Sequence, residues 1–117
     1  MEDCIFCQIA SGKADAEVVY QDEKVVAFKD INPSAPVHIL VIPREHIPSL
    51  NELESEHREL IGHMALVMKD LAQQFNISES GYRIVNNCGS DGGQIVYHLH
   101  FHLLGGKALG GRLVQNQ

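Results

Sequence analysis

From His98 to Leu104 the chain reads His-Leu-His-Phe-His-Leu-Leu, an alternation of imidazole and apolar side chains. Successive residues of a β-strand point to opposite faces, so the pattern predicts a strand over residues 96–104 with His98, His100 and His102 on one face, roughly 7 Å apart. Leu99, Phe101 and Leu103 would line the other face and need a core to cover them. Three imidazoles on one face pack poorly, because each carries a donor and an acceptor needing partners and each titrates near neutrality. An exposed strand face usually mixes Thr, Lys and Glu, which disfavours a row of solvated histidines. A His-x-His metal chelate and nucleophilic catalysis by an imidazole both remain open on the residues alone.

The rest of the chain supplies partners for that strand. Residues 17–20 and 25–28 are β-rich runs flanking a hairpin-length loop, and residues 37–42 form an apolar run that ends at Pro43 and reads as a central strand. Residues 82–87 give one more strand, joined to the histidine strand by the glycine-rich loop 88–93. A long helix is predicted from Ser55 to about Phe75, with Leu60, Ile61, Met64, Val67, Met68 and Leu71 at the helical period. A short helix at Cys4–Ala10 precedes Ser11-Gly12. The fold class is therefore α+β, five antiparallel strands with one long and one short helix. A chain of 117 residues, 44% hydrophobic, can bury one core, so residues 1–117 form a single domain. Residues 105–117, rich in glycine at their start, read as a mobile or partner-ordered tail.

A net charge of −6 argues against nucleic acid and against an anionic membrane surface, both of which demand clustered Lys and Arg. A few local donors suffice for one small phosphorylated molecule. With neither a signal-like N-terminus nor an apolar run of membrane-spanning length, the chain reads as cytoplasmic. Three cysteines in a reducing compartment favour metal binding or packing over disulfides.

Cys4-Ile5-Phe6-Cys7 is a C-x-x-C pair whose sulfurs can reach one ion. Two further ligands are needed for a tetrahedral site, and His46 and His98 are the best remaining candidates. Two buried thiols without metal are the alternative. A thioredoxin-like role is disfavoured by the absence of a following βαβ pattern. His57 and His63 read as exposed or packing residues of the long helix, and Cys88 as inert.

Residues 98–104 fit His-φ-His-φ-His-φ-φ, φ being hydrophobic, which resembles the signature of the histidine triad superfamily of nucleotide hydrolases and transferases. Residues 28–38 (Phe28-Lys29-Asp30-Ile31-Asn32-Pro33-Ser34-Ala35-Pro36-Val37-His38), 40–47 and 87–94 (Asn87-Cys88-Gly89-Ser90-Asp91-Gly92-Gly93-Gln94) are similar to the Hint-like nucleoside phosphoramidase branch. The resemblance spans about residues 4–106. It implies a five-stranded antiparallel meander that pairs as a homodimer and hydrolyses purine nucleoside 5′-monophosphate conjugates such as AMP-linked phosphoramidates. By position, His100 is implied as the nucleophile that attacks the α-phosphorus, flanked by His38 and His102. Ile5, Phe6, Ile9, Phe28 and Ile31 would line the nucleoside pocket, Asp30 would accept from the ribose hydroxyls, and Asn87 with the backbone donors near Gly93 would cradle phosphate. Some relatives carry a similar Cys-x-x-Cys plus two histidines, which implies one structural zinc per chain on Cys4, Cys7, His46 and His98.

The chain departs from that branch at Ile95, where a Ser or Thr hydroxyl usually stands and only a backbone amide is left. It also has no Trp, and residues 112–117 lack the aromatic end by which some relatives shape the pocket across the dimer. Two other functions are kept beside the hydrolase: a nucleotide-binding regulatory module with little turnover, and a metalloenzyme with all three strand histidines on zinc.

Overall fold

A computed structural model describes residues 3–114. The expected tail residues 115–117 lie outside them. Strands β1 (Val18–Gln21), β2 (Val25–Lys29), β3 (Val37–Pro43), β4 (Tyr82–Val85) and β5 (Phe101–Gly105) form one antiparallel sheet in the order β1-β2-β3-β5-β4. The meander runs through β1, β2 and β3, and the β4–β5 pair then joins with β5 against β3. The apolar run at β3 is central, as expected, and all but its first residue is buried.

Alternation along these strands creates two cores. Val25 and Ala27 of β2, Ile39 and Val41 of β3 and Leu103 of β5 face helix α2 (Arg58–Gln74), which buries Met64, Val67, Met68, Leu71 and Ala72 against them. That i, i+3, i+4, i+7, i+8 spacing is one face of an α-helix, and each large side chain so buried contributes about 1.5–3 kcal/mol. Residues Ser55–His57 form a 3-10 turn leading into α2. His57 is buried there: its Nδ1 accepts from Glu54 N at 2.9 Å and its Nε2 lies 3.2 Å from Glu45 Oε2.

The opposite face of the sheet presents Val26, Phe28, Leu40 and Ile42, and helix α1 (Ile5–Ala10) lays Phe6 on them. His38 shares this face with Leu40 by alternation, and His102 is paired directly with Leu40. The sheet therefore carries one core on the α2 side and a second on the α1 side, with His38 and His102 on the latter face. Arg44, just past β3, ties the layers together: its Nε donates to Asp22 O at 2.7 Å, its guanidinium also to Ala10 O at 2.6 Å and Gln21 Oε1 at 3.0 Å.

The predicted histidine strand is shorter than its alternation suggests. It begins at Phe101, so His98 and His100 precede the ladder. The last β3–β5 pair is Val41 with Phe101, and the last β4–β5 pair is Val85 with His102. Beyond them β3 ends at Pro43, which has no N–H to donate, and the Pro43 carbonyl is occupied by the His98 ring at 2.8 Å. Residues 98–100 are held instead by Leu99 N–H donating to Ile47 O at 2.7 Å and by the Asn86 amide donating to His100 O at 2.9 Å.

Candidate active site

Backbone partners fix the tautomers of the neutral rings, because a carbonyl oxygen only accepts and an amide N–H only donates. His100 Nδ1 lies 2.7 Å from His98 O, so Nδ1 carries the proton and Nε2 of the neutral ring holds a free lone pair. That nitrogen makes no hydrogen bond within the described chain, and His100 lines a cavity of about 1020 Å³. Ser34 N–H donates to His38 Nδ1 at 3.0 Å, which leaves the His38 proton on Nε2, 2.9 Å from His102 Nδ1 and 3.3 Å from Asp30 Oδ2. His102 Nδ1 thus accepts, and its own proton sits on Nε2.

Burial pushes the pKa of His38 down against the opposing carboxylate of Asp30. Burial, together with His100 and His38, pushes His102 down to about 4. Both rings are neutral at pH 7, so His102 presents a neutral N–H donor at the cavity that His100 also lines.

The cavity collects every expected nucleotide-binding residue. Ile5, Phe6 and Ile9 of α1 and Phe28 of β2 wall one part; Asp30 and Ile31 follow β2; Asn87, Gly93 and Ile95 come from the loop before the triad. Phe6 meets Phe28 edge-on at 5.5 Å and His100 at 5.1 Å with the rings perpendicular. Asp30 also makes the Asx turn its sequence context suggests, Oδ1 accepting from Asn32 N at 2.8 Å. Asp15, Glu17 and Lys29 join the rim, with Lys29 paired to Glu17 at 2.9 Å. Asp15 had no sequence signal beyond its place ahead of a strand, and Glu17 read only as the first residue of the 17–20 run.

In the loop expected to cradle phosphate, two of the backbone amides are already paired. Gly93 N–H donates to Ser90 O and Gln94 N–H to Gly89 O, both at 3.0 Å, so these amides close the loop on itself. Asn87 Nδ2 donates to Gly92 O at 2.7 Å, leaving one amide hydrogen to spare, and the Ile95 N–H has no acceptor in the described chain. Gly92 is required where it stands, since a Cβ would come within 2.3 Å of Cys88 O. Gln94, unassigned in the sequence, is buried and staples the loop: its Oε1 accepts from Gly89 N and its Nε2 donates to Pro48 O and Val96 O. Ile95 is 90% exposed at the cavity rim.

Beside the triad, Cys4, Cys7, His46 and His98 place four ligand atoms within 4.8 Å of one another. The separations are 3.3 Å for Cys4 Sγ to His98 Nδ1, 3.2 Å for Cys7 Sγ to His46 Nδ1 and 3.5 Å for Cys7 Sγ to His98 Nδ1. Tetrahedral bonds of 2.0–2.3 Å put ligand atoms about 3.3–3.8 Å apart, so these three separations are close to those of a Cys₂His₂ centre. His98 Nε2–H is held by Pro43 O, which aims the bare Nδ1 into the cluster, as the outer partner of a metal-bound histidine does. Burial and the neighbouring Cys4 push the Cys7 thiol up, a penalty on the thiolate that a bound cation offsets. One ion on all three triad histidines is incompatible with this arrangement, because His98 turns away from His100 and His102. Asp30, His38 and His102 also converge, through the hydrogen bonds already described.

The model of the scavenger mRNA decapping enzyme C-terminal binding family matches residues 3–114. The chain is 47% identical over 109 residues to the purine nucleoside phosphoramidase of Escherichia coli, covering 93% of this chain and 92% of that one. The chain belongs to the histidine triad family. Within it, an uncharacterised HIT-like protein of Synechococcus elongatus is 51% identical over 108 residues, 92% of this chain and 94% of the relative. A solved histidine triad protein from Clostridium difficile superposes with a TM-score of 0.93 at 45% identity, covering 96% of this chain and 97% of that one. These likenesses bear out the histidine triad fold and an enzyme of that family.

Proposed function

We propose that the protein hydrolyses purine nucleoside 5′-monophosphate conjugates, AMP-linked phosphoramidates foremost, through a nucleotidyl intermediate on His100. The carrying observation is the His100 ring: Nδ1–H fixed on His98 O at 2.7 Å, Nε2 bare at a cavity that also holds His102. Nε2 attacks the α-phosphorus, the P–N bond breaks and the amine nitrogen leaves with a proton taken from solvent. Water then attacks the same phosphorus and gives its proton back to solvent, releasing the nucleoside monophosphate as the P–N bond to His100 breaks and its electron pair returns to Nε2. His102 Nε2–H faces the charge that builds on phosphoryl oxygen, held in its donor tautomer by His38. Phe6, Ile9 and Phe28 hold the base and Asp30 the ribose. The activity printed for the Escherichia coli relative supports this reading.

Cys4, Cys7, His46 and His98 hold one structural zinc, which would tie α1 to the end of β3 and to the triad segment. The active form is a homodimer: β4 is an edge strand with Tyr82 and Ile84 exposed on the α2 side of the sheet, where α2 itself exposes Leu66, a surface suited to pairing with a second copy.

The test compares hydrolysis of an AMP amide by the native chain and by His100→Ala. Loss of a covalent nucleophile lowers turnover by roughly 10³-fold or more while AMP binding persists. Near-native turnover by the pure variant contradicts the reading, and native protein that binds AMP without turnover assigns it a binding role.

A further inference from the structure

We infer that the Cys4/Cys7/His46/His98 centre positions the nucleophile: metal bound there holds His100 through His98 and the cavity wall through Phe6, so metal content sets nucleotide affinity. This rests on the zinc and nucleophile assignments proposed above.

The reason lies in how residues 98–100 are built. They stand outside the sheet ladder, which stops at Phe101, so their backbone is held not by a strand partner but by Leu99 N–H on Ile47 O, next to the cluster, and by the Asn86 amide on His100 O. The orientation of a single carbonyl, that of His98, determines which nitrogen of His100 is bare. The ring of the same residue ends in the metal cluster. Without an ion, His98 Nδ1 meets only thiol sulfurs at 3.3 and 3.5 Å, which are weak hydrogen-bonding groups; a metal bond is strong and directional.

The other ligands lead to the same cavity. His46 precedes Ile47, whose carbonyl holds Leu99 N–H between the two triad histidines. Cys4 and Cys7 bracket Phe6, which meets the rings of His98 and His100 edge-on at 6.0 and 5.1 Å and lines the nucleotide cavity. Three segments that form the site are thus joined at the cluster. His98 acts as a positioning residue, and Phe6 carries the same constraint to the nucleoside.

The experiment compares zinc-loaded and zinc-stripped protein well below the melting temperature. It reads zinc content, AMP affinity by calorimetry and the His100 tautomer from ring ¹⁵N shifts. With one zinc per chain His100 is uniformly the Nδ1–H tautomer. Stripping gives a mixture and weakens AMP binding by about tenfold, and zinc restores both. An unchanged tautomer and AMP affinity in folded, stripped protein overturns the inference while leaving the zinc site standing. Protein that takes up no zinc yet hydrolyses AMP amides through His100 overturns the zinc assignment and the inference together, but not the function. Should stripping unfold the chain, cadmium replaces zinc on the same ligands: the larger ion shifts His98, so AMP affinity and kcat/KM change by about threefold or more. Equal values for the two metals overturn the coupling.

Discussion

His38 donates from Nε2 to His102 Nδ1 across 2.9 Å, and the Ser34 amide on the far side of His38 fixes the direction of that donation. The pair therefore leaves the His102 Nε2–H for the cavity, and the His38–His102 hydrogen bond holds only while His102 Nδ1 is unprotonated.

A pH dependence of stability follows. His102 is faced by His38 from β3, His100 from the preceding segment and Asp30 from the end of β2, and its pKa falls to about 4 in the folded chain against about 6.5 unfolded. The unfolded chain binds this proton first, so the stabilisation is complete above about pH 6.5 and is lost as pH falls toward 4. In metal-free protein, urea titrations from pH 7 to 4 should show a steeper loss for the native chain than for His102→Gln. Parallel losses would show that His102 is not held neutral.

Asp22 anchors the β1–β2 turn. Its carboxylate accepts from Tyr20 Oη, Lys24 N, Val25 N and His63 Nε2 at 2.6–2.9 Å, and these bonds outweigh burial to keep it well below the usual carboxylate range. Its contribution is present above about pH 4 and is lost as pH falls. Asp22→Ala should cost about 2–3 kcal/mol by thermal or urea unfolding at pH 7 with AMP affinity unchanged. A change below 0.5 kcal/mol would contradict this role.

How much of this was legible in the sequence depended on periodicity. The apolar runs of β2 and β3 and the 3.6-residue period of Met64, Val67, Met68 and Leu71 report burial directly, and all three elements stand where those patterns place them. The alternation at His98 to Leu104 overstated β5, because the ladder fails where Pro43 lacks an N–H, a property of the partner strand. Side-chain types indicated the cavity wall, while the closure of the Gly93 and Gln94 amides onto their own loop depended on turn geometry that glycine content alone does not specify. His63 was placed on α2, but its partner Asp22 lies 41 residues away, and no local pattern links them.

Ile95 is exposed at the rim, so replacing it costs little stability, about 0.5 kcal/mol or less. A hydroxyl there could hydrogen-bond the departing nitrogen or a phosphate oxygen, worth about 1–2 kcal/mol, or roughly tenfold in rate. Ile95→Ser should therefore raise kcat/KM for AMP amides with poor leaving groups and leave a phenol ester nearly unchanged. An equal change on both substrates would show that the missing hydroxyl does not limit turnover.

The zinc assignment makes a separate claim on folding. Structural zinc couples directly to stability, so chelation at neutral pH should lower Tm, and Cys4→Ser/Cys7→Ser should carry no metal. Stoichiometric zinc in the double variant would contradict the ligand set.

The most direct measurement concerns the bond that His100 is held ready to form. Protein mixed with an AMP amide, quenched within milliseconds in alkali to preserve an acid-labile P–N bond and digested for mass spectrometry, should yield a peptide carrying an adenylyl group on His100, absent from His100→Ala. Turnover with no adduct at His100 under conditions that trap a control phosphohistidine, or an adduct on another residue, would contradict the account.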